Sequence, residues 1–251
     1  MTLVAYTSAI IIGLVAGLGR VSKNSVIFNL ATFYVQVIRG VPILVQIFYI
    51  TFVVTPAFFA AVNWAGHGLG AAFGLEPVIA DVAQANPEQI DAALKSLNVL
   101  ERSVVWLTLL NTQSLSLLTR VIIALAVAYG GFEAEVFRAG IESIGRGQMQ
   151  AARSLGMSYV QAMRYIVLPQ AIRRVLPPLG NDFVSMLKDS SLVSVLGVRD
   201  VTQEARLYVA ASFRYPETYN TLAFVYLSMT IILSLGVRWL ESRWGEHGRS
   251  G

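Results

Sequence analysis

The sequence contains no cysteine and only two histidines in 251 residues. Without cysteine there can be no disulfide bond and no thiolate nucleophile or metal ligand, and the redox compartment stays undetermined. His67 and His247 stand far apart, with no metal-ligand spacing around either. An intramembrane metal enzyme therefore has little support, no cofactor is expected, and His67 is interpreted as a solvated loop residue.

Charged side chains are also scarce. They make up 14% of the chain, whereas apolar residues make up 55%, and a soluble domain would carry about a quarter charged residues. The net charge of +4 comes from basic residues in loops and at the ends of apolar runs. Membrane topology accounts for such residues, so nucleic acid is not an expected partner.

Long apolar runs dominate what remains. Five of them approach the roughly 20 residues that a helix needs to cross a bilayer. Because backbone groups in lipid must be hydrogen-bonded within their own segment, the sequence predicts an all-α, polytopic membrane protein with one domain, 1–251. The predicted spans are about Leu3–Gly19, Ser25–Ala61, Thr112–Gly130, Leu179–Val198 and Thr218–Leu240.

Charge bias predicts the topology. Arg20 and Lys23 follow the first span at once, and the segment at about 132–176 carries six arginines against three acids, so both are placed in the cytoplasm. The soluble-looking insertion at about 62–105 has five acids against two basic residues and is placed outside. We expect an external amino terminus, a cytoplasmic carboxyl terminus and no cleaved signal peptide. A short amphipathic helix is expected from Pro87.

Residues 147–178 form a polar, arginine-bearing hinge between apolar runs. A run of helix formers ends at Gly156, the residue type best suited to a left-handed stop. Ser158 and Gln161 have the spacing of a capping box that opens a second helix. Pro169 is expected to end that helix, since proline disfavours helical backbone at Leu168. From the pattern alone, the hinge either binds a partner or rests on lipid headgroups.

Polar residues recur at helical spacing in the second span: Ser25, Asn29, Thr32, Gln36 and Arg39. Gly40 and Pro42 then break the run, and Gln46 follows on a similar side. Two interpretations stay open, a stripe that packs against other helices and a stripe that lines a hydrated path. An arginine beside the apolar zone is costly enough to favour a paired or functional role.

The hinge resembles the cytoplasmic signature of permease subunits of binding-protein-dependent ABC importers. That signature is Glu-Ala-Ala, three residues, Gly, nine residues, then Ile-x-Leu-Pro. The matching residues are Gln150, Ala151, Ala152, Gly156, Ile166, Leu168 and Pro169. Gln150 stands where the family favours Glu, which keeps a hydrogen-bonding side chain and removes a charge.

Further segments resemble the polar amino-acid branch of that family, the histidine, glutamine, arginine and glutamate type. They include SKN at 22–24, RGVPILVQ at 39–46, AEVFRAGIESIGRGQ at 134–148 and the run from Leu168 to Val198. Together with the hinge they cover about three quarters of the chain. The external insertion is not part of this resemblance.

The resemblance implies a type I importer fold in the bacterial inner membrane and ATP-driven uptake of an amino acid. It implies a separate ATPase subunit that contacts the Gln150–Pro169 hinge, a second permease chain (identical or a sibling), and an external solute-binding protein. The chain has no Gly-x-x-x-x-Gly-Lys-Ser/Thr loop, which agrees with hydrolysis on another subunit. The alternative is a secondary transporter or channel for a small polar solute, which does not explain the full hinge signature.

The fourth predicted span carries the candidate substrate residues. Asn181, Ser185 and Lys188 share one helix face, and Asp182 and Asp189 share the adjoining one. One interpretation is an internal ion pair, for instance with Arg39, or residues that snorkel to water. The other is a polar pocket, lined by Asp182, Ser185, Lys188, Asp189 and Ser190 together with Arg39 and Gln46, that neutralises the ammonium and carboxylate of an amino acid.

Overall fold

The computed structural model describes residues 1–83, 85–95, 97–110 and 115–245, and within these ranges the chain is helical and has no strand. The α-helices are α1 Thr2–Arg20, α2 Ser25–Gly40, α3 Ile43–Tyr49, α4 Thr55–Ala72, α5 Glu76–Ala83, α6 Pro87–Lys95, α7 Val99–Leu109, α8 Leu117–Glu142, α9 Arg146–Ser154, α10 Tyr159–Ala162, α11 Leu168–Asp189, α12 Val201–Ser212 and α13 Tyr215–Gly245. Two π-helical turns, Ile50–Val54 and Met163–Val167, and one 3-10 turn, Ser190–Leu196, join successive helices.

The described residues contain four helical stretches that are long and apolar enough to cross a membrane. These are Thr2–Arg20, Ile43–Ala72, Leu117–Glu142 and Tyr215–Leu240. The first and last confirm the predicted first and fifth spans. The all-helical, multi-span fold class is thereby confirmed, although the interior spans have different limits from those expected.

The predicted second span, Ser25–Ala61, is wrong in its position. Helix α2 ends at Gly40, because Val41 is extended (φ −112°, ψ 138°) and Pro42 has no N–H to continue the helix. The buried Gln46 amide donates to the carbonyl oxygens of Ile38 and Val41, so it satisfies backbone groups that the break exposes. The stretch long enough to cross begins after the break, at Ile43.

Helix α8 runs well past the predicted end of the third span at Gly130. It reaches Glu142, and its charged residues Glu135, Arg138 and Glu142 are paired as described below. The predicted start at Thr112 lies outside the described residues. A glycine pair therefore lies inside this helix, where Gly130 faces Ile12 of α1 and Gly131 faces Ile38 of α2.

The predicted fourth span, Leu179–Val198, is also misplaced. Leu168 is helical (φ −61°, ψ −44°) and opens α11, which continues through Pro177 and Pro178 to Asp189. Pro169 does not end a helix, because it lies in the first turn of α11, where a missing N–H costs no intrahelical hydrogen bond. After Asp189 the chain tightens into the 3-10 turn.

Helices α1 and α8 pack with their backbones close together. A Cβ atom at Gly13 would lie 2.4 Å from Cβ of Glu133, and one at Gly17 would lie 2.8 Å from Cβ of Phe137. The Gly-x-x-x-Gly pattern of the first span is therefore a helix contact, of the kind that small residues permit in membranes.

The chain divides into two compact units, Met1–Ile47 with Ile122–Gly251, and Phe48–Val121. The second unit contains the whole range of the predicted insertion, 62–105, and in it α4 packs along α7. Its core consists of Leu75, Ile79, Val82, Leu94, Val104 and Val105. Helix α6 begins at Pro87 as predicted. His67 is exposed, but it lies within α4 and not in the predicted loop.

We expect Gly13→Ala to lower the midpoint of thermal unfolding of the purified chain in detergent. The added methyl group must displace α8, and overpacking of this kind costs about 1–3 kcal/mol. Gly236→Ala is the matched control, because nothing lies within 4 Å of its Cβ position in α13. The control should unfold at or slightly above the wild-type midpoint. Equal midpoints for Gly13→Ala and wild type would contradict the close α1–α8 contact.

Candidate functional site

The hinge begins with α9, and its end is a Schellman motif. Gly156 adopts the left-handed conformation with φ +85°. The Gly156 N–H donates to Arg153 O at 3.1 Å, and the Met157 N–H donates to Ala152 O at 3.2 Å. These are the two hydrogen bonds of that motif. The predicted left-handed stop is confirmed.

The second hinge helix, α10, starts with the predicted capping box. The Gln161 N–H donates to Ser158 Oγ at 3.2 Å, and the Ser158 N–H donates to Gln161 Oε1 at 2.8 Å. A π-helical turn, Met163–Val167, then connects α10 to α11 without a break in the helical backbone. From α10 onward, the hinge is therefore one continuous helical path into α11.

The inner side of the hinge packs on the end of α8. Ile141 of α8 and Ile144, just after it, form a buried cluster with Val167 and Ala171. Met149, partly buried, packs against this cluster. The Arg174 guanidinium also donates to Ser143 O at 2.6 Å. A displacement of α9 or α10 must therefore move the end of α8 or the start of α11.

The outer side of the hinge is apolar and exposed. Leu155 is 84% exposed and Val160 is 71% exposed, although each is a large side chain that water solvates poorly. They flank the Gly156 turn. An exposed apolar pair at a helical turn is suited to contact with a partner protein or with the lipid interface.

The residues of the hinge signature do not share one face. Gln150, Ala151, Gly156 and Pro169 are exposed, whereas Ala152 is buried and Ile166 and Leu168 are half-buried. Ala152 is buried within its own chain, so its small side chain lets α9 pack closely there. Leu155 and Val160, which the sequence analysis did not select, contribute more of the exposed surface.

A group of acids and tyrosines lies between α1, α8 and α11. The Tyr129 hydroxyl donates to Asp189 Oδ2 at 2.7 Å, and the Tyr6 hydroxyl donates to Leu179 O. Asp182 lies near both tyrosines. The predicted Asp182 and Asp189 face is thus the face of α11 that points toward α1 and α8.

Glu133 is the residue of this group that sequence reasoning missed. It is fully buried, and neither carboxyl oxygen has a hydrogen-bond partner within the described ranges. Asp182 and Tyr6 are close enough to interact with it electrostatically. The predicted end of the third span at Gly130 placed Glu133 in the cytoplasm. An acid within an apolar span indicates a functional or paired residue. The sequence would have given that signal for Glu133 only if the third span had been predicted to continue past Gly130.

The other candidate residues of α11 lie apart from this acidic face. Lys188 is exposed and Ser185 is half-buried. Ser190 is buried, and its hydroxyl donates to Leu187 O at 2.7 Å. The predicted alternation of faces is therefore observed. Within the described ranges, no ion pair joins Asp189 to Lys188 or to Arg39.

Arg39 belongs to a different set of charges, the Glu135 cluster, which consists of Arg20, Arg39, Glu135, Arg138 and Glu142. Arg20 and Arg138 both bind the Glu135 carboxylate, and Arg138 also binds Glu142. Arg39 Nη1 lies 3.7 Å from Glu135 Oε2. The ends of α1 and α2 are thereby tied to the same point of α8.

The structure does not join Arg39 and Gln46 directly to the acidic face of α11. Among the described residues, no hydrogen bond or ion pair links either side chain to Asp182, Asp189 or Ser190. Gln46 instead closes the α2 break. The polar stripe of α2 is mostly exposed on the surface of this chain, so it does not pack against other helices of the subunit.

The part of the chain that the structure describes contains no group of three or more His, Asp or Glu residues that could hold a metal ion. The acidic face of α11 is thus a set of carboxylates and hydroxyls. Such groups bind ammonium and guanidinium groups. His247, the other histidine considered in the sequence, lies outside the described residues.

Comparisons with known proteins agree with this geometry. Residues 9–246 match the family described as "Binding-protein-dependent transport system inner membrane component". The chain is 31% identical over 235 residues, 94% of its length and 82% of the relative's, to the probable amino-acid permease protein YxeN of Bacillus subtilis. It is 46% identical over 121 residues to that organism's probable glutamine ABC transporter permease protein GlnM, a match that covers 48% of this chain and about half (56%) of the relative.

One solved structure is similar along most of the chain. It is the crystal structure of an amino acid ABC transporter with histidines, at a TM-score of 0.65 and 31% identity, covering 96% of this chain and 88% of that one. The arrangement of helices around the hinge is therefore shared with a known transporter. The family match extends over nearly the whole sequence, and this chain belongs to the family of inner-membrane components of binding-protein-dependent transport systems.

Proposed function

We propose that this chain is the membrane-spanning subunit of an amino-acid importer that a separate ATPase drives. The α9–α10 hinge carries the proposal, because it is a rigid helix-turn-helix with exposed Leu155 and Val160 at its tip. Family membership and relatives named as amino-acid and glutamine permeases support the assignment. A secondary transporter or channel would have no use for this docking surface.

The proposed assembly contains two permease chains, identical or paired with a sibling. The exposed polar stripe of α2 supports this arrangement, because lipid alone would be a poor environment for Asn29, Gln36 and Arg39. A second copy or a shared hydrated path would cover it. The proposed orientation keeps the amino terminus outside and the hinge and carboxyl terminus in the cytoplasm of the inner membrane.

The proposed mechanism is a two-state change of access. Closure of the ATPase subunits moves α9 and α10, and the buried cluster with Ile141 and Val167 passes the movement to α8 and α11. Helix α11 runs without interruption from the hinge to Asp189. ATP binding can therefore bias the exposure of the acidic face of α11 between the two sides of the membrane.

The proposed substrate path includes Asp182, Ser185, Lys188, Asp189 and Ser190 on and after α11, with Arg39 and Gln46 from the α2–α3 region. Asp189, held by Tyr129, is positioned to receive the ammonium group of an amino acid. Arg39 is only loosely paired with Glu135 at 3.7 Å. Its guanidinium group can exchange that partner for a substrate carboxylate.

Gly156→Val should uncouple transport from ATP hydrolysis. A β-branched residue is strongly disfavoured at φ +85°, so the Schellman motif and the Leu155 position are lost together. We expect at least a tenfold loss of uptake and loss of ATPase copurification. Gly147→Ala is the matched control, because Gly147 lies in α9 with open space around its Cβ position. A Gly156→Val chain that copurifies with the ATPase and transports normally would refute the coupling role.

Asp189→Asn and Arg39→Gln should each lower amino-acid uptake into vesicles by about tenfold or more, since a hydrogen bond to a charged group contributes about 1.5–3 kcal/mol. ATPase activity should persist in both variants. Glu204→Gln, which removes an exposed carboxylate with only a long 3.9 Å ion pair, serves as the charge-removal control. Uptake at the wild-type rate in both test variants would contradict the proposed substrate path.

The second compact unit is proposed to contact the external binding protein. Replacing residues 74–98 with a short Gly-Ser linker removes α5 and α6 and keeps the α4–α7 pair. We expect binding-protein docking, measured by surface plasmon resonance on reconstituted nanodiscs, to weaken at least tenfold while basal ATPase activity is retained. Undiminished docking would mean that this region only covers the outer mouth.

A further inference from the structure

A cavity of about 290 Å³ lies between α1, α11 and α13. Tyr6 and Leu179 both line it, and the Tyr6 hydroxyl donates to Leu179 O. The Tyr6 ring packs on Phe183 with centroids 5.2 Å apart. The volume is at the lower end of the roughly 300–1,000 Å³ of small-molecule sites. Its walls are almost entirely carbon, from side chains that include Ile10, Pro177, Gly180 and Val237. A slender apolar group fits such a space.

One cation stands at an end of this cavity. Arg173 lines it and is exposed, and the described residues offer its guanidinium group no hydrogen bond or ion pair. Its neighbour Arg174 is engaged with Ser143 O. Arg173 can therefore bind an anion, whereas the other lining side chains can make only apolar contacts with a hydrocarbon group.

The dimensions of the cavity match one leaflet of a bilayer. Arg173 and Phe183, at its two ends along α11, are ten positions apart, which corresponds to about 15 Å of helix. That is half of the roughly 30 Å hydrocarbon core. Helix α13, which forms one wall, is a candidate membrane span with none of its most apolar window buried within the chain. The cavity thus borders a helix that meets lipid.

We propose that this cavity holds one acyl chain of an anionic phospholipid, with the lipid phosphate bound by Arg173. The proposal rests on the orientation proposed above, in which Arg173 lies at the cytoplasmic end of α11. Anionic headgroups at that surface attract basic residues, and a basic pocket between membrane helices adds a fixed position for the chain. A protein segment in the same place would have to supply both a long apolar side chain and an acid.

Lipid retention tests this directly. The full chain is reconstituted in nanodiscs of equal phosphatidylglycerol and phosphatidylcholine, released into detergent, and analysed by native mass spectrometry for bound lipid. We expect phosphatidylglycerol to be retained over phosphatidylcholine by about fivefold or more, the factor for one basic residue at an anionic surface. Arg173→Gln should abolish that preference. Arg164→Gln, which removes an exposed arginine outside the cavity, should leave it unchanged.

A second measurement distinguishes lipid from a protein partner. The chain has no cysteine, so Leu240→Cys provides a single thiol at the cavity wall. In the assembled importer, a lipid-soluble maleimide should label it from the bilayer. Protection of Leu240→Cys that persists after the bound lipid is removed, or equal retention of the two lipids by wild type, would overturn the proposal. Neither readout depends on transport, so a failure of uptake would leave this result interpretable.

Discussion

The arrangement of the first unit depends on the ion pairs of the Glu135 carboxylate. This carboxylate binds Arg20 from the end of α1 and Arg138 from its own helix, and Arg39 from the end of α2 lies nearby. An unpaired carboxylate at this partly buried place would be costly, and so would three arginines without it. The cluster therefore fixes where α1 and α2 end along α8.

The other contacts of α8 follow from that anchor. With the end of α1 held, Gly13 and Gly17 bring the backbone of α1 against α8, and Tyr6 reaches α11. At the carboxyl end of α8, Ile141 and Ile144 pack against the hinge. Helix α8 thus touches both the hinge and the acidic face of α11. Coupling between distant sites needs such a chain of packed, rigid elements.

The continuity of α11 changes how the hinge works. Sequence reasoning separated the hinge from the fourth span at Pro169 and Pro178, because proline normally ends helices. The structure places Pro169 in a first turn, where it is tolerated, and carries the helix through Pro177 and Pro178. In the proposed mechanism, a movement at α10 is therefore delivered along one helix to Asp182 and Asp189, because no loop interrupts α11.

Local signals were the predictable part of the fold and the site. Gly156 and the Ser158–Gln161 capping box depend on neighbouring residues only, so their geometry could be read from the sequence. The ends of the spans could not be read from the sequence, because they depend on whether a residue far along the chain neutralises a charge. Glu133 and Glu135 fell beyond the predicted end of the third span because Tyr6 and Arg20, their contacts in α1, are more than 90 residues away. Leu155 and Val160 were missed because exposure of an apolar residue is a tertiary property.

ATP hydrolysis on a separate subunit is proposed to drive amino-acid uptake through this chain. Uptake of labelled amino acids can be measured in liposomes that contain the chain, its ATPase subunit and its binding protein, with ATP supplied on the hinge side. We expect concentrative uptake that requires ATP and the binding protein and that Gly156→Val abolishes. Uptake that proceeds without ATP and follows an imposed ion gradient would contradict this proposal.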